Sequence, residues 1–150
     1  MSKLLVLIHR FVYFFETHKM SFIGTVINLI FIRVVFGCKI GNKTKLGSGV
    51  VLGYGGLGTV IHTDAVIGNN VEIGTGVTIG GNTLRNKGAP IIGNDVLIST
   101  GSKILGPIHI GDNCIVAANS VVISSIPSNC MVAGVPAQIK KTNINITDYK

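Results

Sequence analysis

The 150-residue chain has no tryptophan and few aromatic residues (6%), six acidic side chains against thirteen basic ones, and three cysteines. With aromatics scarce, a hydrophobic content of 47% rests largely on Ile and Val, which suit a stacked β core. The shortage of acid leaves a formal charge of +7. That favours a polyanionic partner without choosing among nucleic acid, anionic lipid and a phosphate-bearing cofactor. Cys38, Cys114 and Cys130 are odd in number and form no C-x-x-C pair. They read as reduced structural thiols of a cytosolic protein, and no metal site is expected. The longest uncharged run of the N-terminal segment, residues 20–32, is short of the roughly 20 apolar residues of a spanning helix. Lys3 precedes an apolar stretch, but His9 and Arg10 interrupt it and no small-residue cleavage site follows, so a secretory signal is not expected. The aromatic-basic interleaving of single-strand-binding proteins is also missing, so no nucleic-acid partner is expected. The expected location is the cytoplasm, with contact at the inner face of the membrane left open.

What is present is a repeat. From Ile61 the chain reads IHTDAV, IGNNVE, IGTGVT and IG, an aliphatic residue returning at every sixth place. Neither the 3.6 period of a helix nor the 2.0 period of a strand produces this. Leading aliphatics fall at Ile40, Leu46, Leu52, Ile61, Ile67, Ile73 and Ile79, then at Ile92, Ile98, Ile104, Ile110, Val116 and Val122. Fifth places hold compact residues such as Thr44, Ala65, Val71, Ser102 and Cys114. Fourth places hold Gly, Asn or Asp, which turn a chain through left-handed backbone angles at low cost. Three six-residue faces make one triangular coil, and the fold class is an all-β solenoid of hexapeptide repeats.

Residues 1–37 carry no hexad. Leu4, Leu5, Ile8, Phe11, Val12 and Phe15 recur at helical spacing, as do Phe22, Val26, Leu29, Ile30 and Arg33, with a polar connection at residues 16–19. We expect two amphipathic helices capping the open end of the solenoid. The alternative is an interfacial membrane anchor, with Phe11, Tyr13, Phe14 and Phe15 beside Arg10. The expected organisation is a helical segment (1–37), a β-helix domain (38–139) and a basic tail (140–150).

Two insertions break the register, one within residues 53–58 and one within residues 81–90. Solenoids carry insertions as external loops that often build the site; the alternative is that both are surface excursions.

The run VTIGG (77–81), APIIG (89–93), KILG (103–106) and AGVPA (133–137), in that order, resembles the hexapeptide-repeat (left-handed β-helix) acyltransferases on the serine acetyltransferase side. The match runs from about residue 38 to 140. The resemblance implies a left-handed coil, acetyl-CoA as co-substrate, transfer to an acceptor hydroxyl, and a homotrimer with sites between subunits. It also implies a His base before a Thr-Gly, an orienting Asp one coil earlier and a second His before a Pro. Tyr54, Lys39 and Ala89 stand at those places here. Those replacements, the short chain and the apolar N-terminus point to a sugar hydroxyl in surface-polysaccharide synthesis as the acceptor. L-serine is the enzymatic alternative, and a non-catalytic scaffold the other.

Attack on a thioester needs a base for the hydroxyl proton and donors for the oxyanion. His62 is the candidate base: it takes a second hexad place, where most repeats have Gly, directly after the first insertion. A supporting or structural role is the alternative. His9, His18 and His109 read as cap or surface residues. Tyr54 is a poor base at an unperturbed pKa near 10 and a candidate for orienting the acceptor. Asp64 is a candidate partner of His62, or simply a corner residue. The resemblance implies that Thr100 and Ala118, 18 residues apart and so stacked one coil apart, border the pantetheine arm, with Gly80 and Gly81 at the thioester end. Lys140 and Lys141 are candidates for the nucleotide phosphates, or form a solvated tail. Arg85 and Lys87 are candidates for an acidic acceptor or CoA.

Overall fold

The computed structural model describes residues 1–81 and 87–149. Helix α1 (Ser2–Thr17) turns through residues 18–20 into α2 (Ser21–Ile27), which continues as a π-helical stretch over Asn28–Val35. The first coil follows as β1 (Lys39–Ile40), β2 (Lys45–Leu46) and β3 (Val51–Leu52), and the second as β4 (Val60–Ile61), β5 (Val66–Ile67) and β6 (Glu72–Ile73). The third is β7 (Thr78–Gly80), β8 (Ile91–Ile92) and β9 (Leu97–Ile98); the fourth is β10 (Lys103–Leu105), β11 (His109–Ile110) and β12 (Ile115–Val116). Then come β13 (Val121–Val122), β14 (Cys130–Gly134) and β15 (Ala137–Thr142). The strands form three sheets in the orders β1-β4-β7-β10-β13, β2-β5-β8-β11 and β3-β6-β9-β12-β14-β15. All pairs are parallel except β14–β15. This is the parallel β-helix that the hexads imply, with the left-handed coil that the resemblance implies and the helical segment at its first coil.

Register explains the hexad. On the first face Ile40, Ile61, Ile79, Ile104 and Val122 stack in line; on the second, Leu46, Ile67, Ile92 and Ile110; on the third, Leu52, Ile73, Ile98, Val116 and Val132. All but the half-buried Leu46 are closed off from solvent, each worth about 1.5–3 kcal/mol on burial. The compact fifth-place residues are buried behind the corners. Gly49, Asn70, Asp95 and Asn113 take φ between 53° and 69° at the corner after the second face. Beside them Asn69, Asn94 and Asp112 each accept, through Oδ1, the backbone N–H of Ser48, Asn69 and Asn94 respectively, locking coil to coil. Asp64 departs from the expected corner chemistry: its φ is not positive, and its N–H donates to His62 Nδ1.

Leu5, Val12 and Ile32 close the first coil as the expected cap, in one core with Ile40 and Leu52. Asn28 secures it, donating to Ile40 O and to Asn42 Oδ1, both at 2.7 Å. The face of α1 differs from expectation. Leu5, Val6, His9 and Val12 are buried, while Leu4 and Phe11 are exposed, because the narrow end of the solenoid covers only one side of the helix. At the other end β15 folds back along β14, and Ile144 and Ile146 pack on Ile115, Leu97 and Met131.

Candidate active site

Each coil has three corners, and the candidate residues divide between two of them. The corner after the first face carries His62 and Asp64 behind β4, and Gly80 and Gly81 at the end of β7. His62 is set by its backbone, its N–H donating to Ile79 O at 2.8 Å. Its ring lies against Gly81, where any Cβ would stand 3.0 Å from Cδ2 and Nε2 and 2.7 Å from Gly88 O. Gly81, at the start of the second insertion, therefore leaves the room that the imidazole fills. His62 Nδ1 accepts the Asp64 N–H at 3.2 Å, while Asp64 Oδ2 stands 3.8 Å from Nδ1, beyond hydrogen-bond range. The neutral ring in this arrangement carries its proton on Nε2. For Nε2 to accept a proton, Nδ1 must be protonated and the Asp64 carboxylate must swing in to accept its hydrogen bond. Lys87 is exposed at the end of the second insertion. Arg85 lies outside the described residues.

Next to this corner a cleft of about 500 Å³ opens between the helical segment and the first coil, lined among others by Glu16, Arg33, Lys39, Asn42 and Thr63. The Glu16 carboxylate faces the Lys43 ammonium at 3.9 Å and accepts the Ser21 hydroxyl.

The corner after the third face carries Tyr54, Thr100 and Ala118. Tyr54 takes left-handed angles (φ 49°, ψ 35°) in a short turn over Gly53–Gly56, and its side chain is 87% exposed. The same turn has a second task, since Gly55 and Gly56 are buried beneath α1. The first insertion is therefore both a loop and the seat of the cap. Thr100 and Ala118 are stacked and exposed, Asn119 N–H donating to Thr100 O at 2.9 Å. Lys103, on the outer side of β10, donates from Nζ to Gly76 O at 2.6 Å on this edge. Sequence reasoning missed it as a candidate; the signal was a charged residue at an outward place just before a leading aliphatic.

Tyr54 and His62 thus lie on different edges of the coil, and a single chain does not bring them to one acceptor. Lys140 and Lys141 lie on β15 rather than in a free tail, and Lys141 Nζ donates to the Tyr149 hydroxyl at 3.2 Å. Gly80, by contrast, pairs with Leu105 on the first face. The three cysteines are buried and free; burial pushes the Cys38 thiol up to about 11 and raises that of Cys114, which keeps those two thiols protonated and unreactive. Among the described residues no three His, Cys, Asp or Glu side chains are grouped to hold a metal ion.

Residues 89–124 match the family model described as bacterial transferase hexapeptide (six repeats). The serine acetyltransferase of Synechococcus elongatus is 32% identical over 108 residues, 71% of this chain and 44% of that protein. A serine acetyltransferase from Brucella abortus, solved in complex with coenzyme A, superposes with a TM-score of 0.87 at 35% identity, covering 91% of this chain and 54% of that one. One from Neisseria gonorrhoeae, solved in complex with serine, gives 0.86 at 34% identity, covering 91% and 55%. The chain spans about half the length, or less, of these relatives.

Proposed function

Because the chain belongs to the hexapeptide-repeat, left-handed β-helix family of bacterial transferases, we propose that it transfers an acetyl group from acetyl-CoA to a hydroxyl, as an O-acetyltransferase. The observation that carries this is the shared backbone: nine-tenths of the chain follows a relative solved with coenzyme A. Acetyl-CoA then lies along the edge of Thr100 and Ala118, whose modest side chains admit the pantetheine arm. The thioester reaches across to the corner of Gly80, Gly81 and His62 of the neighbouring copy. His62, in the tautomer that keeps its proton on Nδ1 and donates it in a hydrogen bond to the Asp64 carboxylate, takes the acceptor's hydroxyl proton at Nε2 as the oxygen attacks the thioester carbonyl. The tetrahedral oxyanion then collapses and expels the CoA thiolate. Tyr54, on the same edge as Thr100 and Ala118, comes from the copy that holds the pantetheine arm in a homotrimer and orients the acceptor.

L-serine is the acceptor we put first, supported by the relatives and by the one solved with serine. A sugar hydroxyl, which the sequence alone put first, is the second reading. One observation favours it: Lys39, Tyr54 and Ala89 stand where the resemblance places the serine-site residues. The test is CoA release from acetyl-CoA with L-serine and with no acceptor, alongside acetyl-CoA binding by calorimetry. Serine-dependent release is the expected result. Binding without it moves the acceptor to the sugars, and no binding at all leaves the scaffold.

A further inference from the structure

The helical segment has two faces, and only one is used. Leu5, Val12 and Ile32 go into the core, yet Leu4, Leu7, Phe11 and Phe14 form a second apolar stripe along α1 at spacings of three and four, each half exposed. Phe11 joins this stripe to α2. It lines one groove of about 300 Å³ with Leu7, Phe14 and Phe15, and another of about 210 Å³ with Ile8, Ile27 and Phe31. Phe31, on the wall of that second groove, is itself nearly half exposed. A soluble surface rarely leaves so much contiguous apolar area uncovered.

Charge decides what covers it. Residues 1–37 hold four cations, Lys3, Arg10, Lys19 and Arg33, and one carboxylate, Glu16, which is largely buried and faces Lys43. Arg10 stands at the border: it lines the apolar groove beside Phe11 and also a second pocket of about 210 Å³ with His9, Tyr13, Thr44, Lys45 and Leu46. Two copies meeting symmetrically through this face would set the basic rims against each other with no carboxylate between them. A bilayer with anionic headgroups offers hydrocarbon to the Phe and Leu stripe and phosphate to the rim at the same depth. No helix among the described residues is long and apolar enough to cross a membrane, so the geometry is that of a helix pair lying in the interface.

We propose that this face of α1 and α2 docks the protein on an anionic membrane surface, with Phe11 and Phe14 in the acyl boundary and Arg10 and Lys45 on headgroup phosphates. The inference stands independently of the acetyltransferase reading. The test is flotation of the full chain with phosphatidylcholine vesicles containing roughly one-third phosphatidylglycerol, and with phosphatidylcholine alone. Expected are binding to the anionic vesicles only, loss of at least about ten-fold in Phe11→Ser/Phe14→Ser, and a several-fold loss in Arg10→Gln. Both variants alter exposed side chains, so circular dichroism and melting temperature are expected to stay at wild-type values; Leu4→Ser is the reserve should the double variant melt early. Equal binding to neutral vesicles, no binding to either, or a concentration-dependent assembly abolished by Phe14→Ser would overturn the proposal, the last giving the face to a second copy.

Discussion

His9 and His62 show how surroundings set what an imidazole does. His9 is buried, its Nε2 donating to Thr44 O at 2.9 Å while Nδ1 has no partner, and desolvation holds its pKa below the ordinary value of 6.5. Below about pH 6.5 the unfolded chain binds a proton that the folded chain refuses, so stability present above that pH is lost as the pH falls through it. The melting temperature of the wild type is expected to fall more steeply between about pH 7 and about pH 5 than that of His9→Gln, which keeps a donor for Thr44 but does not titrate. Parallel slopes would remove His9 from the account. His62 is partly open, and its ring lies against Gly81 at the start of the second insertion. His62→Ala is expected to lower kcat by about 10²–10⁴-fold with KM for acetyl-CoA little changed, because the lost interaction belongs to the transition state. Steady-state CoA release checks this, and wild-type kcat in the variant would leave His62 a structural role. Asp64→Asn is expected to fall between the two, since it removes the carboxylate that must accept the Nδ1–H hydrogen bond.

At the scale of elements, the seat of α1 on the first insertion is the contact most exposed to mutation. Gly56 has φ +78°, and a Cβ there would stand 2.9 Å from Leu5 Cδ2 and 3.3 Å from Leu52 Cδ2. Gly76 has φ +64° with nothing within 4 Å. Both Gly→Ala changes incur the left-handed strain, of order 1 kcal/mol, but only Gly56→Ala adds a steric conflict, for a total of about 2–4 kcal/mol. Urea melts of the two variants read the difference; equal losses would mean that α1 does not rest on this turn. The same elements mark what the sequence could disclose. Leading and fifth-place residues were legible because each is repeated coil after coil in one environment, so a period names the core directly. The buried side of α1 was not, because the helix carries two apolar stripes and one solenoid end, and the buried stripe includes a histidine. His62 stood out as the break in a Gly column. Its ring's proton was illegible, because that depends on where the Asp64 N–H points at a corner that takes no left-handed turn.

At the scale of the whole molecule, the three-faced coil separates groups that a shared site would need together. Tyr54 follows the third face and His62 the first, so within one chain they occupy different edges of the triangle. If Tyr54 orients the acceptor whose proton His62 takes, the two must come from different copies, and the site exists only in an assembly. That has a consequence that no single-chain site shares. His62→Ala and Tyr54→Ala are each expected to be poor enzymes as pure proteins. Mixed by unfolding and refolding together in equal amounts, they assemble trimers in which roughly one site in four joins an intact Tyr54 to an intact His62 of the neighbour. Activity is therefore expected to rise on mixing to about a quarter of the wild-type value per site, with the rise absent when the two proteins are mixed without refolding. Light scattering fixes the trimer in each sample. A co-refolded mixture no more active than the mean of its parents would place both residues in the service of separate sites, and Tyr54 would then be a residue of the cap's seat alone.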